Sequence, residues 1–310
     1  MEGIVKAVCI SKQKGTDKQN IHSCLLIKDY GLENDAHAGN WHRQVSLLNY
    51  ESEIEFGKKT EGIYPGVFGE NLLVSGIDFK NLPVGTILKC NDVILEMTQI
   101  GKDCHSGCNI FKQVGDCIMP RLGVFAKVIQ GGIVQEGDTM VVHGRNSKLT
   151  AAVITMSDKG FTHQREDTSG PAIVEILEKE GYEIVETMIL PDDQKTLERH
   201  LKRLSDQRQV NVILTTGGTG FSMRDITPEA TYAVMTRNAP GIGEAIRYES
   251  MKYTNRAMLS RGASVIRNQT LIVNLPGSPK AVKESLDIIL DSMKHGIEIL
   301  IGSASECARK

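Results

Sequence analysis

The sequence predicts two domains: a mostly β domain in the first half of the chain and an α/β domain in the second half. The chain has 310 residues, roughly twice the length of a common single domain. Before residue 144 the apolar runs are short and separated by glycines, whereas after residue 149 strand-like runs alternate with helical ones. A polar, glycine-containing stretch at residues 144–148 separates these patterns and predicts domains at residues 1–143 and 149–310.

The first half contains seven short apolar runs with the length of β-strands. Residues 51–58 are its one helical candidate. The predicted strands cover residues 4–8, 24–27, 45–48, 71–74, 86–88, 93–97 and 124–129.

The second half alternates strands with helices, which predicts a parallel sheet covered on both faces. The last helix carries an apolar stripe at helical spacing. Its members are Val282, Leu286, Ile289, Met293, Ile297 and Leu300. The other predicted elements are strands at 151–155, 185–190, 210–214 and 270–275 and helices at 171–180 and 196–204.

Charge and hydropathy exclude several classes of protein. The 36 Lys and Arg residues nearly balance the 38 Asp and Glu residues, giving a net charge of −2. We therefore expect no nucleic-acid partner and no anionic membrane partner. The apolar stretches are short and interrupted by charges, and residues 1–6 lack the layout of a secretory signal. We expect a cytoplasmic protein.

Cysteines are concentrated in the first half. Of seven, six lie within the first 117 residues, and a reducing compartment argues against a disulfide framework. The distribution therefore predicts thiol chemistry in the first domain and different chemistry in the second. The seven are Cys9, Cys24, Cys90, Cys104, Cys108, Cys117 and Cys307.

Three predicted helices of the second half begin with a hydroxyl residue and a proline, at residues 169–171, 227–229 and 278–280. Two of them follow glycine-rich strand ends at residues 215–220 and 276–278. Glycines and helix N-termini together favour a ligand that carries phosphate, bound at the carboxyl ends of the strands. The alternative is that each start is only a well-capped helix. The second half contains no P-loop and no Gly-x-Gly-x-x-Gly, which excludes a standard NTPase and a dinucleotide dehydrogenase.

Acidic residues flank the same loops. Asp158, Asp192 and Asp225 each follow a predicted strand or its glycine-rich turn. Carboxylates beside phosphate-binding loops are typical of Mg²⁺ sites in phosphoryl or nucleotidyl transfer. The alternative is that these aspartates only cap turns.

The ordered motifs at residues 167–171, 214–220, 224–230 and 274–280 resemble the molybdopterin adenylyltransferase family, which includes MogA, MoaB and the gephyrin G-domain. The resemblance runs from about residue 149 to the C-terminus. It implies a three-layer α/β domain with a mostly parallel sheet, usually forming a homotrimer. It also implies Mg²⁺, the substrates molybdopterin and ATP, and contact with other molybdenum cofactor assembly proteins.

Site residues are carried over from this family by motif. The resemblance implies that Asp192 and Asp225 are the catalytic acids and hold the metal. It further implies a set of residues that cradle the pterin and the phosphates. These residues are Ser169, Gly170, Thr216, Gly217, Gly218, Thr219, Gly220, Pro276, Gly277 and Ser278.

The densest chemical cluster of the first half is the segment Cys104–His105–Ser106–Gly107–Cys108, with Cys117 close behind. Three interpretations are open: a zinc site, ordinary reduced cysteines, or a reactive thiolate at Cys104 activated by Lys102.

Segments 31–39, 42–47, 68–72 and 98–104 of the first half resemble the MOSC domain. The resemblance covers about residues 1–143 and implies a β-rich, barrel-like domain. It also implies that Cys104 is the functional centre, carrying sulfur or ligating molybdenum, with Cys108 and Cys117 as resolving thiols or co-ligands.

Both halves therefore predict a protein of molybdenum cofactor biosynthesis. We expect the second domain to be a nucleotidyltransferase that adenylylates molybdopterin, and the MOSC domain to bind the cofactor or carry sulfur. A non-catalytic cofactor carrier, a zinc-binding module in the first half, and a scaffold are the alternatives.

Overall fold

A computed structural model describes residues 1–103 and 116–303. The chain divides into two compact units, Met1–Ser147 and Lys148–Lys310. Each unit has its own hydrophobic core and is described by itself.

The first unit is built mainly from short strands, with helices α1 (Tyr50–Gly57) and α2 (Met119–Leu122). The predicted helix at residues 51–58 corresponds to α1, which Asn49 caps by accepting the N–H of Ser52. The strands are β1 (Glu2–Ile10), β2 (Gln19–Asn20), β3 (Ser23–Ile27), β4 (Gly31–Leu32), β5 (Val45–Asn49), β6 (Leu72–Ser75), β7 (Thr86–Cys90), β8 (Val93–Ile100), β9 (Val124–Gln130), β10 (Gly132–Gln135) and β11 (Thr139–Arg145).

Seven of these strands close into a barrel, in the order β11-β7-β8-β9-β5-β6-β1, with β1 pairing back onto β11. Closure removes the unpaired edges of the sheet. Alternate residues such as Leu88 and Leu95 fill the interior. The predicted barrel-like, β-rich first domain is therefore confirmed. A small sheet of β10, β3 and β4 accompanies the barrel.

The second unit alternates strands with helices. Its strands are β12 (Thr150–Met156), β13 (Glu183–Leu190), β14 (Val212–Thr216), β15 (Arg237–Asn238), β16 (Ser264–Arg267) and β17 (Thr270–Leu275). Its helices are α3 (Asp158–Phe161), α4 (Ser169–Lys179), α5 (Gln194–Lys202), α6 (Thr227–Val234), α7 (Pro240–Ser250) and α8 (Pro279–Leu300).

The sheet of this unit is mixed, with strand order β13-β12-β14-β17-β16-β15. The first four strands are parallel, as predicted, but β16 and β15 run antiparallel at one edge. The two-residue connection between β16 and β17 explains the reversal, because a tight turn can join only antiparallel strands. Asn268 in this turn has a φ of 53°, which such turns require.

Helices cover both faces of the sheet. Ala151 and Val153 of β12 pack in one core with α4, α7 and α8. Ala152 and Ile154, which alternate with them, pack in a second core with α5 and α6. The predicted apolar stripe of the last helix lies in the first of these cores, fully buried except for Leu300, which is partly buried.

Some element bounds differ from the prediction. The helix predicted from residue 196 begins at Gln194, because Asp193 caps it by accepting the N–H of Thr196 at 2.8 Å. Helix α7 and strands β15 and β16 were not predicted. Among residues 1–103 and 116–303, no helix combines the length and apolarity that a membrane span requires.

Candidate active site

A cleft of about 820 Å³ opens at the carboxyl ends of the parallel strands. The last residues of β12, β14 and β17 lie side by side there, because Thr155 pairs with Thr216 and Thr216 pairs with Leu275. Eight predicted site residues line this cleft: Ser169, Asp192, Thr216, Gly217, Gly218, Asp225, Gly277 and Ser278. The other four predicted for this unit, Gly170, Thr219, Gly220 and Pro276, belong to the same segments but not to the wall.

The glycine-rich loop after β14 requires glycine at two positions. Gly217 and Gly218 have φ values of 92° and 65°, a region that side chains with a Cβ rarely adopt. Space is also lacking, since a Cβ on Gly217 would lie 2.5 Å from the Met156 carbonyl oxygen. A Cβ on Gly218 would lie 2.3 Å from Thr227 Oγ1. The loop is fixed from behind, because the Thr227 hydroxyl donates to the Gly217 carbonyl at 2.9 Å.

The loop after β17 packs directly against the glycine-rich loop. The Thr216 hydroxyl donates to the Pro276 carbonyl at 2.7 Å, and the Ser169 hydroxyl donates to the Gly277 carbonyl at 2.9 Å. A Cβ on Gly277 would lie 3.4 Å from Gly217 Cα. Both hydroxyls therefore hold the cleft wall together.

The three helix starts differ in what occupies them. At α4 the Asp167 carboxylate accepts the N–H groups of Ser169 and Gly170, both at 3.0 Å, so these donors are already used. At α8 the N-cap is Ser278, and no side chain of the described residues caps this 22-residue helix. The start of α8, where Ser278 lines the cleft, therefore presents uncapped N–H groups there.

The predicted hydroxyl residues lie at or beside the N-cap at all three starts. Ser278 is the N-cap of α8, but Ser169 and Thr227 are the first residues inside α4 and α6. The N-caps there are Thr168 and Ile226, neither of which makes a side-chain capping bond. At α4 the first N–H groups are instead bonded to Asp167, two residues before Ser169. The spacing of hydroxyl residues and prolines does not predict this role.

Two reciprocal hydrogen bonds, which we call the clasp, join Asp192 and Asp158 where β13 and β12 end. Asp158 Oδ1 accepts the N–H of Asp192 at 2.9 Å, and Asp192 Oδ2 accepts the N–H of Asp158 at 3.2 Å. Burial raises the pKa of Asp192, and the nearby carboxylates of Asp158 and Asp225 add to the rise. Hydrogen bonds from Arg224 lower the pKa of Asp158.

Asp225 closes the turn that follows the glycine-rich loop. Its Oδ2 accepts the N–H of Ser222 at 2.9 Å. A Cβ on Gly220 would lie 2.9 Å from the same oxygen. The glycine therefore allows the loop to run close beside this carboxylate.

Arg261 holds the same segment in place and was missed by the sequence reasoning. Its Nε donates to the Gly220 carbonyl at 2.7 Å, its Nη2 donates to the Asp225 carbonyl at 2.5 Å, and its Nη1 pairs with Glu229. Arg261 lies 36 residues from Asp225, in a stretch without any motif that could have indicated it. Asn274, which belongs to a quoted motif, supports the sheet ends by donating to the hydroxyls of Thr215 and Thr231, each at 2.9 Å.

The two predicted metal-binding acids suit a hard divalent cation. Asp192 Oδ1 and Asp225 Oδ1 receive no hydrogen bond from the described residues, so each side chain keeps an oxygen for a ligand. Carboxylate oxygens are the donors that Mg²⁺ prefers, usually one or two per site with substrate phosphates completing the shell. Across residues 1–103 and 116–303, no group of three or more His, Cys, Asp or Glu side chains forms a cage.

The predicted thiol centre of the first unit lies mostly outside the described residues, which exclude Cys104 and Cys108. Cys117 is buried, just before α2. Cys9, Cys24 and Cys90 are buried as well, and burial raises the pKa of each, that of Cys90 to about 12. These three thiols remain protonated near neutral pH and behave as ordinary core cysteines.

Charged side chains are buried in the first unit, close to the motifs that resemble the MOSC domain. Lys18 Nζ and Asp35 Oδ1 form an ion pair of 2.5 Å in which both side chains are almost fully buried. Glu70, which is fully buried, accepts the N–H of Gly66 and lies beside the buried Glu53. Burial raises the pKa of both glutamates, and for Glu53 the neighbouring Glu70 carboxylate adds to the effect.

Comparisons with known proteins match each half separately. A model for a probable molybdopterin binding domain matches residues 152–295, and a MOSC domain model matches residues 34–141. The molybdopterin adenylyltransferase of Helicobacter pylori is 38% identical over 160 residues, covering 51% of this chain and 91% of that protein. The molybdopterin adenylyltransferase of Escherichia coli is 40% identical over 156 residues, covering 48% of this chain and 80% of that protein.

A solved structure, the molybdopterin biosynthesis Mog protein from Mycobacterium ulcerans, is 35% identical. It covers 51% of this chain and 99% of its own, with a TM-score of 0.47. The two adenylyltransferases are matched over most of their length by the half of this chain that carries the cleft. The chain therefore belongs, through its second half, to the molybdopterin adenylyltransferase family, and it carries a MOSC domain in its first half.

Proposed function

We propose that the second unit transfers AMP from Mg²⁺-bound ATP to the terminal phosphate of molybdopterin, as a step of molybdenum cofactor biosynthesis. One observation carries this proposal: two carboxylates, each with an available oxygen, share a cleft with a glycine-rich loop and the uncapped start of α8. Such a cleft can take a polyphosphate and a divalent cation together.

Asp192 and Asp225 would hold Mg²⁺ through their unbonded oxygens. When bound, the cation supplies positive charge beside the phosphate oxygens and so favours attack at phosphorus. Both acids are held by backbone and side-chain hydrogen bonds, so their geometry does not have to form during the reaction.

The two loops supply orientation and neutral donors. Thr216, Gly217 and Gly218 would carry the backbone that faces the phosphates, together with Ser278 at the start of α8. Thr219 and Gly220 would continue this loop behind the wall. Orienting two anionic substrates for in-line attack removes much of the entropic cost of the reaction. Ser169 and Gly277 would shape the wall, and Gly170 and Pro276 would support it from the same segments. The N–H groups of Ser169 and Gly170 are bonded to Asp167 and are not available to a phosphate.

For the first unit we propose binding of the cofactor or transfer of sulfur, with Cys104 as the reactive thiol. The support is the MOSC match and the inertness of the buried thiols described above. Alkylation followed by peptide mapping tests this assignment. Cys104 should react faster than Cys9 and Cys24, and equal rates would remove it as the functional centre.

The adenylyl transfer is tested with the purified full chain, molybdopterin and Mg-ATP, by measuring pyrophosphate release and adenylylated product. The wild type should form product, and Asp225→Ala should abolish it. Glu175→Gln is the matched control, because it removes an exposed carboxylate that pairs with Lys179 on α4. Near-normal turnover by Asp225→Ala refutes the role of that residue. Binding of both substrates without pyrophosphate release identifies a carrier instead.

Assembly and location are tested separately. We propose a homotrimer formed through the second unit, which light scattering would detect as three times the mass of the chain. We also propose a cytoplasmic location, which fractionation of the source cells would check.

A further inference from the structure

We infer that Asp158 is a positioning residue for Asp192: it fixes the carboxylate that would hold the divalent cation without being a ligand itself. This inference rests on the proposed function, because it concerns the same site. The sequence pattern predicts cation binding for each aspartate that flanks the phosphate-binding loops, whereas this inference gives Asp158 a different role.

The clasp between the two aspartates fixes the orientation of Asp192. Asp158 Oδ1 holds the Asp192 N–H at 2.9 Å, and Asp192 Oδ2 is in turn held by the Asp158 N–H at 3.2 Å. The N–H of Ser157 donates to the Leu190 carbonyl at 2.9 Å, so the ends of β12 and β13 are locked together at three points. With Oδ2 occupied, Oδ1 of Asp192 is the oxygen left for a cation.

Both oxygens of Asp158 are already in use. Oδ1 accepts from Asp192, and Oδ2 accepts from Arg224 Nε at 3.1 Å and from Arg224 Nη2 at 2.6 Å. A guanidinium on the outer oxygen neutralises the charge of Asp158 and blocks the approach of a cation. The carboxylate therefore acts on the site through its neighbour.

Arg224 also connects Asp158 to the second acid, because it directly precedes Asp225 in the chain. The side chains of Arg224 and Asp158 are 63% and 44% exposed, so the ion pair contributes little to stability. Its consequence is geometric: one carboxylate contacts both segments that carry the metal-binding acids. Residues that orient metal ligands in this way typically change metal affinity by about 10- to 100-fold when they are removed.

The test measures Mn²⁺ affinity by electron paramagnetic resonance, using the full chain with a non-hydrolysable ATP analogue. Asp158→Ala should weaken Mn²⁺ binding by about tenfold or more. Asp158→Asn should stay within about threefold of the wild type, because its amide oxygen can still accept the Asp192 N–H. Glu175→Gln, which removes an exposed ion pair elsewhere on the unit, should leave the affinity unchanged.

Two results would overturn the inference. If Asp158→Ala binds Mn²⁺ within about twofold of the wild type, the clasp does not position Asp192. If Asp158→Asn is as weak as Asp158→Ala, the charge of Asp158 acts on the cation directly, as a ligand would. Should the alanine variant fail to fold, which circular dichroism would reveal, Asp158→Leu takes its place, because leucine has a similar shape but no acceptor for the Asp192 N–H.

Failure of the proposed function has a different signature. A wild-type chain that binds Mn²⁺ but releases no pyrophosphate refutes adenylyl transfer and leaves the comparison of the Asp158 variants intact. A wild-type chain that binds no Mn²⁺ with the analogue present refutes the inference about Asp158.

Discussion

Replacing Asp167 with alanine should destabilise the second unit far more than its partial exposure suggests. The carboxylate accepts the N–H groups of Ser169 and Gly170, both at 3.0 Å, and the Thr155 hydroxyl at 2.7 Å. Loss of a helix cap costs about 0.5–2 kcal/mol. Thr155 is only 8% exposed, and a buried hydroxyl left without its partner costs about 1–3 kcal/mol more. The expected loss is therefore about 1.5–5 kcal/mol.

Urea unfolding followed by circular dichroism at the helix band measures this loss, because every helix of eight or more described residues except α1 belongs to the second unit. Asp167→Asn is the first control and should lose only about 1 kcal/mol or less, since asparagine caps helices as well as aspartate does. Glu166→Ala is the second control. It removes the adjacent exposed carboxylate, for which no hydrogen bond within the described chain is seen, and should change stability by less than about 0.5 kcal/mol. A loss below about 0.5 kcal/mol in Asp167→Ala would refute the reasoning.

Three further predictions concern other sites. Gly218→Ala should destabilise the second unit by about 1–3 kcal/mol and weaken ATP binding. The φ of Gly218 is 65°, and a Cβ there would lie 2.3 Å from Thr227 Oγ1, at the start of α6. Thermal unfolding and ATP titration measure the two effects, and Gly241→Ala, at a position with open space around it, is the control for both. Glu53→Gln should stabilise the chain more at about pH 8.5 than at about pH 5.5. Burial beside Glu70 raises the pKa of Glu53 from its ordinary value of 4.5 to about 8. The wild type therefore loses stability progressively as pH rises between these two values. Equal urea midpoints of variant and wild type at the higher pH would contradict this. Arg261→Met should reduce adenylyl transfer at least about tenfold. Arg261→Lys should not restore it, because only the planar guanidinium reaches the carbonyls of both Gly220 and Asp225. Steady-state pyrophosphate release measures the activity of each variant.

Features with a local cause were predictable from the sequence. The α8 stripe follows from helical spacing, and the cleft follows from glycine-rich segments at the ends of parallel strands. Features that depend on long-range contacts were not predictable. Arg261 contacts Gly220 and Asp225 across 41 and 36 residues, and the clasp between Asp158 and Asp192 spans 34. Periodicity carries no information about such pairs.

The antiparallel edge of the sheet was only partly predictable from the sequence. The alternation of strands and helices correctly predicted the parallel strands β12, β13, β14 and β17. Strand β16 has four residues and is joined to β17 by a two-residue turn, so its apolar residues merge with the next run in a hydropathy pattern. Asn268 at that turn was the available signal, since asparagine tolerates a positive φ where hairpins need one.

The contrast between α4 and α8 narrows where phosphate can bind in the cleft. A helix start attracts anions because its first N–H groups lack partners and carry partial positive charge. At α4 the Asp167 carboxylate already accepts two of these groups and adds a negative charge of its own, so a phosphate there would meet repulsion. At α8 the N-cap Ser278 makes no capping bond. The polyphosphate should therefore lie toward the ends of β14 and β17, on the side of the cleft where the glycine-rich loop approaches Asp192 and Asp225.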